Sequence, residues 1–476
     1  MPRDPFKPRP APTLADRFAI LKASHRADPY PTYQARWNRL DRLEIALLVF
    51  SERLIQAISA DFSYRNATES QIFDITATLG EIHHAKHRLK KWMKARKVSM
   101  PLHLRPASGR IMPQPLGVVG IIAPWNFPIL LAISPMASAL AAGNRVMLKP
   151  SELSPQTSEV LEDMISAHFS PDEIAIETGG PEVAKAFSDL PFDHLFFTGS
   201  TEVGRLVAQA AAKNLTPVTL ELGGKSPAIL TPSADLKRAA KRIAWGKTAS
   251  AGQACVAPDY VLLPRAQLDE FADKLRAAMV ALYPTGANSP DYSAIITEPH
   301  YDRLVNMVAT AINAGVKTIS LDHANTSTAH RKFAPTILID PPLDLQVMQD
   351  EVFGPIISLI PYDTQDDAIQ FVARRDHPLA LYVFAEDRSD QDLWLKQSLS
   401  GGASMNEVVV HVGCSTLPFG GVGASGIGAC HGERGFETFS HMKSVLVQPK
   451  LNGAGLIAPP FTDTKKKIVR LIQRFV

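Results

Sequence analysis

The sequence predicts an α/β protein in which two doubly wound, Rossmann-like domains accompany a small β element. Segments with strand character alternate with helical segments from residue 117 to about residue 405, which is the pattern of βαβ units. The run 117–123 (GVVGIIA) is continuously apolar, as expected of a parallel strand that is buried on both faces. The length of 476 residues exceeds what one compact core usually serves, so we expect more than one domain.

The elements before the first strand are helical and then extended. Amphipathic helices are predicted for 33–58 and 69–97, because apolar residues recur there at helical spacing. Prolines punctuate 99–115, which predicts a hairpin or a crossing strand rather than a helix. The basic cluster between Lys86 and Lys97 is interpreted as a solvated helix end.

Two alternating regions follow in order. In the first, the predicted strands are 117–123, 145–148 and 194–197, and the predicted helices are 137–142, 159–167 and 202–214. In the second, the predicted strands are 226–230 and 260–263, and the predicted helices are 236–249 and 268–282. A further strand is predicted at 443–448 and a short basic amphipathic stretch at 465–476. Such alternation produces parallel sheets.

The composition argues against several classes of protein. A net charge of +3 gives no argument for binding nucleic acid through bulk electrostatics. The cysteines Cys255, Cys414 and Cys430 are too few and too scattered for a disulfide framework, and no C-x-x-C pair predicts a zinc site. Neither a secretory h-region nor a run of about 20 apolar residues is found. We therefore expect a cytoplasmic protein without a bound metal.

A candidate nucleophile is Cys255, in the segment 250–258 (SAGQACVAP). The small, glycine-containing turn before it lets a substrate approach the sulfur and the nearby backbone N–H groups. A thiolate attacks carbonyl carbon, and its own backbone N–H can help to hold the oxyanion that forms. The same pattern also fits a small buried residue, because free cysteine is among the most buried residue types. This segment alone leaves both interpretations open.

Two polar residues are candidates for acid–base and oxyanion chemistry. Glu221 lies between two leucines before a Gly-Gly turn, and such an apolar setting tends to raise a carboxyl pKa, which suits a general base. A glutamate that caps or pairs near a turn is the alternative. Asn126 follows the strand 117–123 closely, where a side-chain amide can donate to an oxyanion. The alternative there is an asparagine that satisfies its own turn.

Two motifs are candidates for binding a dinucleotide. The segment 196–204 (FFTGSTEVG) predicts a strand, a tight glycine turn and a helix start, whose backbone N–H groups suit a diphosphate. It departs from the G-x-G-x-x-G fingerprint, because no glycine lies between Gly199 and Gly204. After another predicted strand, Lys149 and Glu152 come together. A carboxylate near a strand end can bind ribose hydroxyls and disfavours a 2′-phosphate.

Seven sequence blocks occur in the order and spacing of one protein family: PWNFP (124–128), KPSE (149–152), FTGSTEVG (197–204), LELGGKSP (220–227), GQACVAP (252–258), DEVFGP (350–355) and LPFGGVGASGIG (417–428). With these blocks the chain resembles the aldehyde dehydrogenase superfamily from about residue 35 to residue 450. The segments GQACVAPDYV and PFGGVGASGIGACHGERGFETFSH are most similar to the class 3 branch and to the bacterial coniferyl-aldehyde dehydrogenases near it. Asp350 stands where many relatives have glutamate, a change of acid for acid.

The resemblance implies a role for each block. Cys255 is implied as the nucleophile, Glu221 as the general base, and Asn126 as one half of an oxyanion hole that the Cys255 backbone N–H completes. Glu221 also implies a free acid product, because relatives that pass the thioester to coenzyme A typically lack this glutamate. The implied cofactor contacts are Lys149 and Glu152 at the adenosine ribose, Gly199, Ser200 and Gly204 at the diphosphate turn with Trp125 beside it, and Glu351 at the nicotinamide ribose with Phe353 nearby.

The reaction implied by the resemblance is the oxidation of an aldehyde to a carboxylic acid, through a cysteine thiohemiacetal and a thioester. NAD is the implied cofactor, because Glu152 favours it, although class 3 relatives often tolerate NADP. The implied domains are 1–98 with 116–221 for NAD binding, 222–412 for the nucleophile, 99–115 with 435–455 for bridging and oligomerisation, and a tail at 456–476. The family's bridging strands imply a homodimer.

The choice of substrate stays open at this stage. Coniferyl-type aromatic aldehydes are the first hypothesis, and medium- or long-chain aliphatic aldehydes are equally compatible with the blocks. A non-catalytic scaffold on the same fold is a further alternative, against which the intact set of Cys255, Glu221 and Asn126 argues. Membrane association through the tail is not expected, because one short amphipathic stretch binds membranes weakly.

Overall fold

The computed structural model describes residues 12–101, 104–321, 331–452, 455 and 458–473. It has the predicted α/β architecture, built on β-sheets of six, seven and three strands. Of the predicted tail stretch 465–476, residues 474–476 lie outside the described residues. Within the part of the chain that the structure describes, no helix has both the length and the apolar character needed to cross a membrane.

The strands of the described residues have the following bounds: β1 (Arg96–Val98), β2 (Ser108–Pro115), β3 (Val118–Ile122), β4 (Arg145–Lys149), β5 (Ile174–Ile176), β6 (His194–Thr198), β7 (Val218–Glu221), β8 (Pro227–Leu230), β9 (Tyr260–Pro264), β10 (Lys317–Ser320), β11 (Thr336–Ile339), β12 (Ile356–Tyr362), β13 (Ala380–Phe384), β14 (Gly402–Met405), β15 (Gly426–Ile427) and β16 (Ser440–Val447). Every strand that the sequence predicts by number overlaps one of these.

The helices of the same residues are α1 (Leu14–Ala27), α2 (Tyr33–Asp61), α3 (Ala67–Ser70), α4 (Ala77–Trp92), α5 (Leu130–Ala142), α6 (Pro155–His168), α7 (Pro181–Ser188), α8 (Thr201–Ala212), α9 (Leu236–Thr248), α10 (Leu268–Leu282), α11 (Glu298–Asn313), α12 (Gln346–Gln349), α13 (Gln365–Ala373), α14 (Arg388–Gln397), α15 (Gly432–Thr438) and α16 (Asp463–Ile472). A π-helical stretch, Gln71–Thr76, lies between α3 and α4.

The six-stranded sheet has the order β15-β7-β6-β3-β4-β5. All of its neighbours are parallel except β15 with β7. Strand β3 is buried along its whole length, as its continuous apolar run predicted. The strand order reverses around β3, since the chain adds β4 and β5 on one side and then β6 and β7 on the other. In sheets of this kind the carboxyl ends of the strands at the reversal form a ligand crevice.

The seven-stranded sheet has the order β10-β11-β12-β9-β8-β13-β14, and its neighbours are parallel except β10 with β11. The chain passes from the carboxyl end of β7, in the first sheet, to the amino end of β8, in the second. Cys255 lies just before the amino end of β9, which pairs with β8. The junction between the two sheets therefore brings the ends of β7, β8 and β9 into one region.

The third sheet is antiparallel and has the order β1-β2-β16. Strands β2 and β16 pair along eight positions, from Ser108 opposite Val447 to Pro115 opposite Ser440. Of the hairpin or crossing strand predicted for 99–115, the structure has the strand β2, and its antiparallel partner β1 lies just before the predicted range. The strand predicted at 443–448 is the second half of β16. Strand β16 forms one edge of this sheet.

The predicted helix 69–97 is wrong in two places. Its first part is α3 followed by the π-helical stretch Gln71–Thr76, and α4 begins only at Ala77. Its last part is not helical, because α4 ends at Trp92 and Arg96–Val98 form β1. The basic residues after Trp92 favour neither state strongly, and pairing with β2 decides in favour of the strand. The extra residue in a π-helical turn leaves almost no trace in apolar periodicity.

Helix α5 begins without a cap of its own. The residue before it, Ile129, has no side-chain acceptor for the free N–H groups of the first turn. Asp74, from the π-helical stretch, provides it: Oδ1 accepts the backbone N–H groups of Ile129 at 3.1 Å and Leu130 at 3.4 Å. The sequence predicted only the second half of α5, at 137–142, because this cap comes from a residue distant along the chain.

Candidate active site

The loop that leads to Cys255 has an unusual backbone. Ser250 (φ 48°), Ala251 (φ 50°) and Gly252 (φ 73°) are all in the left-handed region. This conformation costs a non-glycine residue about 1–2 kcal/mol. Gly252 has a second constraint, since a Cβ there would lie 2.4 Å from the carbonyl oxygen of Gly354. The absence of a side chain at Gly252 therefore lets the Gly354 carbonyl pack against the turn. The sequence predicted only that a substrate could approach here.

Gln253 holds this loop in place. Its side chain is fully buried, and its Nε2 donates to the carbonyl oxygens of Ser250 and Ala294, both at 3.0 Å. Its Oε1 accepts the backbone N–H of Ile296 at 3.0 Å. One side chain thus ties the left-handed turn to residues 294–296. Gln253 lies inside the block GQACVAP, but its role could not be predicted from that block, because its partners are residues 294 and 296.

Asn126 lies beside the same loop. It is buried after the carboxyl end of β3, and its Nδ2 donates to the carbonyl oxygen of Gln253 at 3.1 Å. The Asn126 amide therefore contacts a residue that lies two positions before Cys255, which agrees with the oxyanion hypothesis. This bond uses one of the two N–H groups on Nδ2.

Glu221, the last residue of β7, is 4% exposed. No N–H or O–H group of the described residues donates a hydrogen bond to its carboxylate oxygens. Burial raises the pKa of Glu221 well above its usual range, in the direction that its leucine neighbours predicted, and the nearby Cys430 thiol offsets only part of that rise. A carboxyl group in this environment holds a proton more strongly than a solvated one, as a general base must.

Cys255 is partly exposed but surrounded mainly by protein. Burial raises its pKa to about 12, and the carboxylates of Glu351 and Glu221 add to the effect. The backbone N–H groups of Cys255 and Val256 act in the opposite direction. The sulfur is therefore a thiol at neutral pH in this structure, and it becomes a strong nucleophile once it loses its proton, because nucleophilicity increases with thiol pKa.

Glu351 lies between the nucleophile loop and the Gly-Gly turn after Glu221. Burial, with a smaller contribution from the carboxylate of Asp259, raises its pKa to about 8. A Cβ on Gly223 would lie 1.9 Å from Glu351 Oε2, so any larger residue there would displace the Glu351 carboxylate. The structure thus explains the Gly-Gly turn as a cradle for this carboxylate.

The segment 350–352, which carries Glu351, is fixed by charged groups. Lys225 Nζ contacts Asp259 and donates to the carbonyl oxygen of Asp350 at 2.8 Å. Asp259 Oδ2 accepts the backbone N–H of Val352 at 2.9 Å, and Arg303 Nη2 donates to the carbonyl oxygen of Val352 at 2.6 Å. Sequence reasoning missed these three charged residues, since their partners are backbone groups far away in the chain.

An aromatic cluster covers the end of β3. The ring of Trp125 is 5.4 Å from that of Phe353 and 5.3 Å from that of His300, both edge-on. Phe353 has a positive φ of 43°, which its neighbours must maintain against strain. The structure brings together Trp125 and Phe353, two of the predicted cofactor contacts, and adds His300, which the sequence did not indicate.

Lys149 and Glu152 form an ion pair at the carboxyl end of β4. Lys149 Nζ lies 2.8 Å from Glu152 Oε2; the lysine is 2% exposed at its side chain and the glutamate 39%. Lys149 also donates to the carbonyl oxygen of Pro150. The glutamate therefore faces solvent at the crevice while the lysine supports it from below, a geometry that suits recognition of hydroxyl groups.

The turn between β6 and α8 is built as predicted, but its glycines have packing roles. Ser200 caps α8, and its side chain accepts the N–H of Val203 at 3.3 Å. A Cβ on Gly199 would lie 2.5 Å from the ring of Phe197, and one on Gly204 would lie 2.5 Å from Leu222. The N–H of Gly204 is bonded within the helix, so a direct diphosphate contact of these glycines remains a prediction.

The residues described above fit a dinucleotide. Asn126 follows β3, Lys149 ends β4 and α8 begins after β6, so all three lie at the carboxyl edge of the six-stranded sheet. The start of α8 provides N–H groups for a diphosphate. On the same helix Val203 and Leu206 are 45% and 60% exposed, an apolar surface of the kind that a flat base covers. Among the described residues no group of His, Cys, Asp and Glu could hold a metal ion.

A separate cavity of about 580 Å³ lies away from this chemistry. Its lining includes Gln114, Asp193 and His441, which lie near the amino ends of β3 and β6 and along the third sheet. Ligands of doubly wound sheets bind at the opposite, carboxyl edge. None of the candidate site residues lines this cavity.

A doubly wound, dinucleotide-type sheet is joined here to a second sheet, which carries a cysteine near a buried carboxylate. This combination suits a dehydrogenase that works through a thiol. Comparison with known proteins agrees. The family model for the aldehyde dehydrogenase family matches residues 20–445. The chain belongs to the aldehyde dehydrogenase family and is an aldehyde-oxidising enzyme.

Individual relatives are similar over nearly the whole chain. A probable coniferyl aldehyde dehydrogenase of Pseudomonas aeruginosa is 44% identical over 95% of this chain and 94% of its own. Coniferyl aldehyde dehydrogenase of a Pseudomonas species is 42% identical over 93% of this chain and 92% of its own. The resemblance stated from the sequence blocks is thereby confirmed.

Solved structures confirm the fold. The substrate-bound state of Staphylococcus aureus AldH has a TM-score of 0.92 and 36% identity, covering 97% of this chain and 99% of that one. Indole-3-acetaldehyde dehydrogenase in complex with NAD+ has a TM-score of 0.83 and 25% identity, covering 91% of this chain and 88% of that one.

Gly252→Ala should be far more damaging than Gly315→Ala. Both glycines have positive φ, at 73° and 80°, but a Cβ meets the carbonyl of Gly354 in the first case and open space in the second. We expect Gly315→Ala to lower the free energy of unfolding by about 1 kcal/mol. Gly252→Ala should cost about 1–3 kcal/mol more and reduce aldehyde oxidation. Denaturant unfolding measures both, and equal losses would contradict the crowding argument.

The alkylation of Cys255 by iodoacetamide in the free protein should accelerate about tenfold per pH unit from pH 7 to pH 10, because only the thiolate reacts. Its raised pKa of about 12 places the plateau above this range. Cys414 is an internal control, since a hydrogen bond from Thr416 lowers its pKa below 9.0 and its profile should level off earlier. Peptide mass spectrometry follows each site. A Cys255 profile that is flat above pH 8 would show that burial and the nearby carboxylates do not raise the pKa of this thiol.

Proposed function

We propose that this chain oxidises coniferyl-type aromatic aldehydes to carboxylic acids with NAD, and that Cys255, Glu221 and Asn126 carry the chemistry. The observation that supports these roles most directly is the junction between the two sheets. There the Asn126 amide is bonded to the loop of Cys255, and the buried Glu221 carboxyl group is close enough to raise the pKa of the Cys255 thiol.

The proposed reaction begins at the sulfur. Cys255 gives its proton to solvent water, and Sγ forms a bond to the aldehyde carbon while the C=O π pair moves onto oxygen, giving a thiohemiacetal anion. The N–H groups of Asn126 Nδ2 and of the Cys255 backbone hold the oxyanion, and one such donor typically contributes about 3 kcal/mol. When bound, the nicotinamide ring would supply the acceptor for the hydride that leaves the aldehyde carbon. Cys255 then carries the acyl group as a thioester.

Glu221 completes the cycle. Its raised pKa suits a general base, which takes a proton from water as the water oxygen attacks the thioester carbon. The C–S bond breaks, the carboxylic acid leaves, and the Cys255 thiol is restored. No thiol acceptor such as coenzyme A is needed, because the proposed base activates water directly.

The proposed cofactor contacts follow the crevice. Lys149 and Glu152 would hold the adenosine ribose, and Glu152 would disfavour a 2′-phosphate, which supports NAD over NADP. The remaining contacts proposed are Gly199, Ser200 and Gly204 with the start of α8 at the diphosphate, Trp125 beside it, and Glu351 with Phe353 at the nicotinamide ribose. Val203 and Leu206 are exposed on α8 where the adenine could pack.

Two observations support an aromatic substrate. Relatives that are 42% and 44% identical bear the names coniferyl and probable coniferyl aldehyde dehydrogenase. In addition, aromatic rings line up next to Asn126: the ring of Phe127 is 6.0 Å from that of Phe73, which is 6.3 Å from that of Trp245. Flat apolar walls of this kind favour a planar ring.

The direct test is NADH formation with coniferyl aldehyde, benzaldehyde, hexanal and hexadecanal, and the same panel with NADP. We expect the highest kcat/KM for coniferyl aldehyde with NAD. Cys255→Ala should abolish turnover, while Cys414→Ala, the matched cysteine control, should keep it. Glu221→Gln should slow turnover by roughly 10²-fold or more and leave acylated Cys255 detectable by mass spectrometry.

The outcomes separate the parts of this proposal. Full activity of Cys255→Ala, or no NADH from any aldehyde with either cofactor, contradicts the catalytic assignment and favours the scaffold alternative. A preference for hexadecanal contradicts only the aromatic substrate. A higher kcat/KM with NADP than with NAD contradicts the cofactor choice.

We also propose the domain roles and assembly. Strands β3–β7 lie within the proposed NAD-binding segment 116–221, and β8–β14 lie within the proposed catalytic segment 222–412.

The edge strand β16 exposes Leu446 and Val447, at 57% and 48%, which supports pairing with a second copy as a homodimer. Cys255 acts as a free thiol, which fits a reducing, cytoplasmic location. Sedimentation equilibrium should give twice the mass of one chain, and a single-chain mass contradicts the dimer.

A further inference from the structure

The nucleophile loop and the residue proposed as oxyanion donor belong to different sheets. Asn126 follows β3 of the six-stranded sheet, and Cys255 precedes β9 of the seven-stranded sheet. The bond from Asn126 Nδ2 to the Gln253 carbonyl is a direct link between them. A catalytic donor that is misplaced by about 1 Å can cost 10²-fold in rate, so the relative position of these two segments needs further support.

Arg65 contacts the Asn126 side of this junction. The residue is 1% exposed, and its Nη1 donates to the backbone carbonyl of Asn126 at 2.8 Å. Its guanidinium lies 4.9 Å from the centre of the Phe127 ring and forms a 3.0 Å ion pair with Asp74. Asp74 in turn accepts the N–H groups that open α5. Arg65 and Asp74 therefore hold both ends of the segment between β3 and α5.

Glu69 contacts the Cys255 side of the junction. Its Oε1 accepts the backbone N–H of Ser250 at 2.6 Å, the first of the left-handed residues, and its Oε2 accepts the hydroxyl of Ser293. The same carboxylate forms an ion pair of 3.9 Å with Arg65. One glutamate thus joins the arginine on the Asn126 side to the start of the strained turn.

We propose that Arg65 and Glu69 are positioning residues that set the distance between the Asn126 amide and the Cys255 backbone N–H, and so build the oxyanion hole from two domains. Both come from one short stretch of chain, 65–69, which precedes the π-helical stretch and contacts both sides. This inference rests on the proposed roles of Asn126 and Cys255. Neither residue is assigned a contact with substrate.

The test is a double-mutant cycle between Arg65 and Asn126. Arg65→Lys keeps a positive charge opposite Asp74, but an ammonium group cannot reproduce the guanidinium fork that reaches Asp74 and the Asn126 carbonyl together. We expect it to lower kcat about tenfold, with the KM for NAD changed less than twofold. In an Asn126→Ala background, which retains the backbone carbonyl and loses only the amide, the same substitution should lower kcat less than twofold.

Two further variants separate positioning from stability. Glu69→Gln retains oxygen and nitrogen atoms for Ser250 and Ser293 and should keep most of the activity, whereas Glu69→Ala should lose about as much as Arg65→Lys. Glu173→Gln is the matched control, since Glu173 also pairs with a buried arginine, Arg39 at 3.2 Å, but lies far along the chain from both loops. It should lower thermal stability without changing kcat.

The outcomes are distinguishable. An equal fold-loss from Arg65→Lys in the wild type and in Asn126→Ala overturns the positioning role, because a purely structural effect would appear in both backgrounds. If Arg65→Lys does not fold, Glu69→Ala takes its place in the cycle with the same two outcomes. If Asn126→Ala itself loses no activity, the proposed oxyanion role fails, and the positioning proposal fails with it.

Discussion

The left-handed backbone of residues 250–252 is the constraint on which the rest of the site depends. Two of these residues are not glycines, and their conformation persists only because Gln253, Glu69 and the packing of Gly252 against Gly354 hold it. The turn brings the end of α9 back to the junction of the two sheets, where Asn126 is hydrogen-bonded to the loop that carries Cys255. Strain at this point is compensated by hydrogen bonds to three other segments of the chain, at residue 69, at residue 126 and at residues 294–296.

Buried carboxyl groups are the second feature of the junction. Glu221 and Glu351 both have raised pKa values because burial removes their hydration, and both raise the pKa of the Cys255 thiol. Like charges brought together without full pairing destabilise a folded protein. Such arrangements are concentrated at functional sites, where the chemistry needs groups that exchange protons near neutral pH. The positive charges of Lys225 and Lys247 act on Glu351 in the opposite direction and offset part of the rise in its pKa.

The sequence predicted the main elements well where their signal was local. Strand β3 was evident from its unbroken apolar run, and the raised pKa of Glu221 from its two leucine neighbours. The end of the helix predicted at 69–97 was wrong, because strand pairing between β1 and β2 is a contact between separate segments. The packing roles of Gly199 and Gly204 and the clamp made by Gln253 were also not predicted, since each is defined by a partner distant in sequence.

By itself, the sequence determined the α/β class, the alternation that produces parallel sheets, and the identity of the candidate residues in each block, because these depend on local periodicity and residue chemistry. The tertiary structure alone decided that Asn126, Gln253 and Glu69 converge on the turn before Cys255, and that Glu351 rests against Gly223. Apolar pattern and turn chemistry act over a few residues, whereas the spacing between two sheets is set by buried hydrogen bonds and ion pairs, several of which join segments more than a hundred residues apart.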